Sequence, residues 1–168
     1  MTIREEIQAD VVAIDAVLRD AFPADDEAKL VRALRDNGNA ILSLVAEEEG
    51  EVVGHILFSP MRNEVGDVHE KGVGLAPMAV RSDRQRQGIG KRLIEESLKR
   101  LTTDGFEFVV VLGHLDYYPK FGFRRADQFG IENEYGVGAE FMILELREGA
   151  AADLNGLIRY SEEFAALG

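Results

Sequence analysis

The stretch Ser82-Asp83-Arg84-Gln85-Arg86-Gln87-Gly88-Ile89-Gly90-Lys91-Arg92-Leu93 sets two glycines one residue apart and surrounds them with basic side chains. From Arg81 to Arg100 there are seven basic residues against three acidic ones, a local +4 in a chain of net charge -12. Glycines between a strand and a helix let the backbone bend sharply, and they leave the first N–H groups of the helix unpaired and pointing outward. Those donors, the positive end of the helix dipole and the nearby cations together suit an anion, above all a phosphate. The competing reading is a solvated basic helix that merely starts with glycine. Two other phosphate motifs are absent. A Walker loop needs four residues between its glycines and then Lys-Ser/Thr, whereas one residue separates Gly88 from Gly90 and Lys91-Arg92 follows. A dinucleotide fingerprint belongs at the turn itself, whereas Gly72-Val73-Gly74-Leu75-Ala76-Pro77 lies in the preceding strand and lacks a third glycine.

Composition narrows the chemistry further. The chain has no cysteine, which removes disulfides, thiolate metal sites and a cysteine nucleophile and fits a reducing compartment. Its three histidines are not at metal-ligand spacing, so no metal site is expected. An acidic balance argues against non-specific nucleic-acid binding. No apolar run reaches the roughly 20 residues a membrane span needs, and the N-terminus is charged where a signal peptide would be apolar. A cytoplasmic protein without nucleic-acid or membrane partners is expected. At 168 residues and 46% hydrophobic, the chain fits one domain over 1–168.

The elements that must carry the turn follow from periodicity. Residues 2–7 alternate as a short strand, and Val11, Ile14, Val17, Leu18 and Phe22 recur at helical spacing until Pro23. A second helix follows, capped by Asp25, striped by Leu30, Val31 and Leu34, and ended at Gly38. Residues 40–60 predict an antiparallel hairpin with Glu47-Glu48-Glu49 as its solvated turn. Residues 72–80 predict a third strand interrupted at Pro77, which donates no ladder hydrogen bond. Ile89, Leu93, Ile94, Leu98 and Leu101 mark the helix after the glycine turn, which ends near Asp104-Gly105. The valines of residues 106–114 predict a central buried strand. Strand, turn, helix and strand make a βαβ unit with parallel strands and a right-handed crossover. Ligands in such units gather at the carboxyl ends of the strands, which favours the anion-site reading. Residues 117–123 read as a short helical turn leading into a small strand, and residues 140–146 as the last strand.

Two signatures now stand in order. Gln85-Arg86-Gln87-Gly88-Ile89-Gly90 resembles the Gln/Arg-x-x-Gly-x-Gly/Ala motif of the N-acetyltransferase superfamily abbreviated GNAT. Tyr118-Pro119-Lys120-Phe121-Gly122-Phe123 resembles its Tyr-x-x-x-Gly-Phe segment at the usual distance. The likeness covers about residues 40–146, leaving 147–168 as a C-terminal extension, and is similar to a small bacterial subgroup of acetyltransferases. Ser82 stands where many members have proline, Arg86 where many have glycine, and Leu115 where the subgroup often has proline.

The resemblance implies an α/β fold with a mixed central sheet, splayed parallel strands and flanking helices. It also implies acetyl-CoA as co-substrate and a primary amine, on a small molecule or a peptide, as acceptor. A homodimer is compatible with it. The pyrophosphate maps onto the N–H groups around Gln85, Arg86, Gln87, Gly88, Ile89, Gly90 and Lys91, with Arg81, Arg84 and Arg92 as candidates for the outer phosphates. The pantetheine arm maps onto the backbone of Met78, Ala79 and Val80, beside the Pro77 interruption. Tyr118 maps onto the general acid that protonates the departing sulfur; its alternative role is a packing aromatic with its hydroxyl bonded. Strand residues 74–80 hold no carboxylate, so the base is sought elsewhere: His114 first, then Asp116, with His69 and Glu70 acting through water. His55 reads as a satisfied core or edge histidine. The expected reaction is direct acetyl transfer in a ternary complex. The rival readings are a catalytically silent acyl-CoA-binding or sensing module and, more distantly, a nucleotide-binding protein. The first two helices and the loops near 62–71 and 124–140 are expected to shape the acceptor site.

Overall fold

The computed structural model of the chain describes residues 1–154 and 156–167; residues 155 and 168, inside the domain range expected above, lie outside the described residues. The strands form a mixed, mostly antiparallel sheet accompanied by three α-helices. The chain divides into two compact units, Met1–Phe58 with Ala76–Lys99 and Glu162–Gly168, and Ser59–Leu75 with Arg100–Ser161.

In the first unit β1 (Thr2–Glu5) runs antiparallel to β2 (Leu42–Glu48), which pairs with β3 (Glu51–Asn63) from Leu42↔Phe58 to Glu48↔Glu51. The helices α1 (Val11–Ala21) and α2 (Asp26–Asp36) bury Ile14, Val17 and Leu18, and Leu30, Val31 and Leu34. These are the stripes that their spacing predicts. Asp25 precedes α2 and accepts the Lys29 N–H at its backbone carbonyl, but its side chain makes no capping bond. The hairpin turn is shorter than expected: only Glu49-Gly50 form it, while Glu47 and Glu48 are strand residues paired with Arg4 and Arg84. Gly54 gives α3 (Ile89–Thr103) its seat, because a Cβ there would lie 3.1 Å from both Ile89 Cγ2 and Leu93 Cδ1.

The second unit holds the first part of β4 (Val68–Val80), a strand longer than expected and continuous in assignment through Pro77. It pairs parallel with β5 (Phe108–Leu112), from Gly72↔Phe108 to Leu75↔Val111. A Cβ on Gly72 would collide with the Phe108 ring, so this glycine admits the aromatic at the start of β5. β5 continues antiparallel against β8 (Phe141–Glu145), which also pairs with the two-residue β6 (Arg124–Arg125). Val109, Val110, Phe141, Met142 and Ile143 are each at most 1% exposed and fill this core. Contrary to the sequence expectation, β8 is not the last strand. β9 (Gly156–Arg159) follows, pairs with the end of β3 and runs parallel to β7 (Ile131–Asn133). Runs of three and four residues are too short to show a period of two.

Candidate functional site

The glycine turn lies wholly in the first unit. Gly88 has φ +84°, and Arg86 also occupies the left-handed region at φ +64°. That region is comfortable for glycine and costly for a side chain bearing a Cβ, so the loop holds Arg86 under local strain. The first helical bond of α3 runs from Arg92 N–H to Gly88 C=O. The N–H groups of Ile89, Gly90 and Lys91 therefore have no partner within the helix. Gln85 Nε2 donates to the Val80 carbonyl at 3.0 Å and ties the turn to the end of β4. That bond occupies a backbone acceptor in the segment Met78, Ala79 and Val80, and Gln85 thereby gains a structural role beyond its place in the motif.

The cations divide into two sets. Arg81 pairs with Asp83 at 2.7 Å and Glu51 at 3.3 Å, and Arg84 Nε with Glu48 at 3.1 Å. Two of the three guanidinium groups expected at outer phosphates are thus engaged with carboxylates. Among the described residues Arg92 Nη1 reaches only the Met1 carbonyl, at 3.3 Å. Among the described residues Arg86 and Lys91 have no ion-pair partner, and both are exposed. Gly90 belongs to α3 and is not among the left-handed positions, so its backbone could accept a Cβ.

In the second unit Tyr118 opens a 3₁₀ turn, Tyr118–Phe121, which Gly122 ends at φ +100°. The Tyr118 ring is 8% exposed and meets Tyr117 and Phe123 edge-on, at 5.1 and 5.6 Å between centroids. The Tyr-x-x-x-Gly-Phe spacing thus has a local cause: glycine reverses the chain and phenylalanine returns to pack on the tyrosine. A Cβ on Gly113 would collide with the Tyr118 ring. Among the described residues the Tyr118 hydroxyl has no hydrogen-bond partner, so the ring packs while the hydroxyl stays available. Burial pushes its pKa up to about 12. The hydroxyl is therefore protonated at neutral pH.

The base candidates fall apart in space. His114 and Asp116 are exposed, and the His114 carbonyl accepts the N–H groups of Tyr117 and Tyr118, both at 3.2 Å. His69 stacks edge-on against Phe108 at 5.9 Å, and burial lowers its pKa. Six residues of strand separate His69 from Leu75, where the β4–β5 ladder ends, about 20 Å of extended chain. His69 and Glu70 are thus at the wrong end of the strand for the chemistry expected of them.

His55, in the first unit, is fully buried, with Nε2 2.8 Å from Ser43 Oγ and 3.7 Å from Glu6 Oε1. Burial opposes ionisation of Glu6, but bonds from His55, Arg35 and Ser43 outweigh it and hold the carboxyl at about 2. Serine, histidine and glutamate suggest a hydrolytic triad by type only. Serine and carboxylate share one imidazole nitrogen, whereas a triad places them on opposite ones. Among the described residues His55 Nδ1 is buried without a hydrogen-bond partner, so the histidine is satisfied there on one side only.

Residues 11–123 match the model of the Acetyltransferase (GNAT) family. The chain belongs to the GNAT acetyltransferase family. It is 39% identical over 166 residues to the N-acetyltransferase YhbS of Escherichia coli strain K12, covering 98% of each protein. The crystal structure of E. coli YhbS in complex with CoA superposes with a TM-score of 0.91 at 38% identity, covering 99% of this chain and 93% of that one. A GNAT acetyltransferase from Brucella melitensis in complex with acetyl-CoA gives 0.82 at 34% identity, covering 97% of each. Among the described residues no helix is long and apolar enough to cross a membrane.

Further polar groups gather near Tyr118 in this GNAT chain, in the second unit, that sequence reasoning did not single out. Tyr160 is buried, and its ring lies where a Cβ on Gly74 would collide with it. Burial drives its pKa far above the ordinary tyrosine range, with a smaller contribution from Tyr135 and Tyr118 nearby. Tyr135 lies 6.3 Å from Tyr160 between centroids. Burial pushes its hydroxyl up to about 12, with a smaller contribution from the charge of the neighbouring Glu134. Neither Glu134 nor Tyr160 falls within the family match. Nothing in composition or spacing marks one glutamate among 31 acidic residues.

Proposed function

We propose that the chain transfers an acetyl group from acetyl-CoA to a primary amine by direct attack in a ternary complex. The observation that carries this reading is the turn before α3, where Arg86 and Gly88 take left-handed conformations ahead of a helix N-terminus and Arg86 and Lys91 lack acidic partners. That arrangement suits the pyrophosphate of CoA. CoA and acetyl-CoA bound to the two similar proteins support the same choice. The backbone of Met78 and Ala79 takes the pantetheine amides, and Val80 does so if Gln85 releases its carbonyl.

In the proposed step the amine nitrogen attacks the acetyl carbonyl, the C–N bond forms, and the C–S bond breaks. Tyr118 gives its hydroxyl proton to the departing sulfur, yielding CoA thiol, and recovers a proton from solvent. His114 receives the proton that the ammonium must lose before attack. We place the reaction in the cytoplasm, consistent with a chain that has no cysteine.

Thiol release from acetyl-CoA, measured against a panel of metabolite amines, aminoglycosides, polyamines and peptides, tests the reading. Amine-dependent release with stoichiometric acetylated product is the expected result. Tight CoA binding with no turnover on any amine would make the chain a sensing module instead.

A further inference from the structure

We infer that Glu134 is the anchor for the acceptor amine, which docks as an ammonium on its carboxylate beside the ring of Tyr135. This inference rests on the acetyltransferase reading and names the charge state in which the acceptor arrives.

The carboxylate is held in place from both sides. Asn133 Oδ1 accepts the N–H groups of Tyr135 at 3.0 Å and Val137 at 3.2 Å, while Asn133 Nδ2 donates to the Val137 carbonyl at 2.6 Å. This pins the loop that carries Glu134 just beyond β7. The parallel ladder of β7 and β9 ends at Asn133↔Ile158, so the chain leaving β9 brings Tyr160 alongside, and its N–H donates to Glu134 Oε1 at 3.1 Å. The Tyr135 ring stands 6.3 Å from that of Tyr160 between centroids.

The carboxylate nevertheless keeps acceptor capacity. Arg159 Nη1 is 3.8 Å from Oε2, beyond hydrogen-bond reach, and its Nε is directed to the Glu64 carbonyl at 3.2 Å. A carboxylate offers about four lone-pair sites, and the one used by the Tyr160 N–H leaves others open. The Glu134 side chain is 24% exposed, so a solute can reach it while part of its water shell is already gone. An ammonium has the three donors and the charge for that remaining capacity, and an aromatic face alongside favours a cation over a neutral alcohol. The link to the chemistry is Tyr160, whose N–H binds Glu134 and whose ring packs on Gly74, one residue before Leu75, where the β4–β5 ladder ends. An ammonium held by a carboxylate is stabilised in its charged form, so Glu134 is a positioning residue and proton removal falls to another group.

The protein has four tyrosines, Tyr117, Tyr118, Tyr135 and Tyr160, and no tryptophan. Its intrinsic fluorescence therefore reports this neighbourhood. The probe is n-butylammonium chloride, compared with n-pentanol and with sodium chloride at matched ionic strength. Saturable quenching by butylammonium alone is expected, weakened about tenfold in Glu134→Gln, the change expected from losing a charge-assisted hydrogen bond. The glutamine carbonyl can still accept the Tyr160 N–H, and acetyl-CoA affinity should be unchanged. In wild type, ring resonances of Tyr135 and Tyr160 should move with butylammonium while those of Tyr117 stay still, a readout independent of any variant. Equal butylammonium affinity in Glu134→Gln, an equal response to pentanol, no saturable response in wild type, or shifts confined to Tyr117 would each overturn the assignment. Failure of wild type to bind acetyl-CoA would instead remove the acetyltransferase reading and leave the ammonium titration standing.

Discussion

In the turn at 85–91 the groups offered to a ligand are backbone N–H donors and two cations, all from one contiguous stretch. The tyrosine cluster instead draws its side chains from three separate segments, around Tyr118, Tyr135 and Tyr160. The turn is exposed and partly strained; Tyr118 and Tyr160 are buried while Tyr135 is exposed, and each buried ring rests on a glycine, Tyr118 on Gly113 and Tyr160 on Gly74. An anion-binding surface can be made by peptide groups, whose donors survive substitution of the side chains around them. A proton donor must be one particular atom, so packing has to hold it. The turn should therefore fail through its backbone angles and the cluster through single polar atoms.

The largest effect is expected at Tyr118. Phenylalanine keeps the contacts to Tyr117, Phe123 and Gly113 and removes only a hydroxyl that bonds nothing else among the described residues. The single-turnover rate with a good acceptor amine should fall by about 10²–10⁴-fold, the usual contribution of a general acid, while acetyl-CoA affinity stays within a few-fold of wild type. The pH dependence has a definite sign. An acid acts in its protonated form, so its contribution is lost as pH rises through its pKa; with Tyr118 pushed up to about 12, no alkaline loss from this group should appear near 10, where an ordinary tyrosine ionises. A break near 10 that vanishes in Tyr118→Phe would show that the hydroxyl titrates as if exposed. An unchanged single-turnover rate in a folded variant would reduce Tyr118 to a packing residue.

The next effect separates the two glycines of the turn. No atom lies within 4 Å of a Cβ built on Gly88, so valine there meets no clash, but its φ of +84° strains any side chain. Strain of about 1–3 kcal/mol displaces the turn, and CoA affinity should fall by roughly tenfold to a hundredfold with the domain still folded. Gly90→Ala places a good helix former in the first turn of α3 and should leave affinity within a few-fold unless the phosphates approach that carbon closely. Isothermal calorimetry on both variants decides. Equal, large losses would mean that Gly90 serves by close approach to the ligand, and two wild-type affinities would remove the phosphate cradle.

The same contrast governs what the sequence could disclose. The turn was legible because its glycines, cations and flanking hydrophobic periods are neighbours in the chain, and α3 begins and ends where its spacing indicates. Tyr118 was legible through Gly122 and Phe123, which pack it from a few residues away. Glu134, Tyr135 and Tyr160 were not, because only the pairing of β7 with β9 brings the first two beside the third. Nor could the sequence show that Arg81 and Arg84 are already engaged, since Glu51 and Glu48, on the first hairpin, lie 30 and 36 residues away. Side chains with short-range causes can be read from spacing; those placed by long-range pairing cannot.

The smallest expected effect concerns those arginines. CoA affinity should fall with added salt although the protein carries a net charge of -12, because screening at 0.15 M confines the influence of exposed charges to about 8 Å. The acidic surface beyond that distance contributes little, and the cations at the turn set the slope. Arg86 has no acidic partner among the described residues, whereas Arg84 is neutralised by Glu48 at 3.1 Å and lies near Asp83 at 3.4 Å. Arg86→Ala should therefore weaken binding a few-fold and flatten the salt dependence. It also relieves little of the left-handed strain, since alanine carries the same Cβ. Arg84→Ala should change both by less, because removing that guanidinium leaves Glu48 unpaired and the local charge is altered by one unit that was already balanced. Affinities for CoA measured at several salt concentrations in the two variants rank the arginines directly. A steeper loss in Arg84→Ala than in Arg86→Ala would mean that CoA displaces Glu48 on binding, so that the engaged arginine, and not the unpaired one, meets the phosphates.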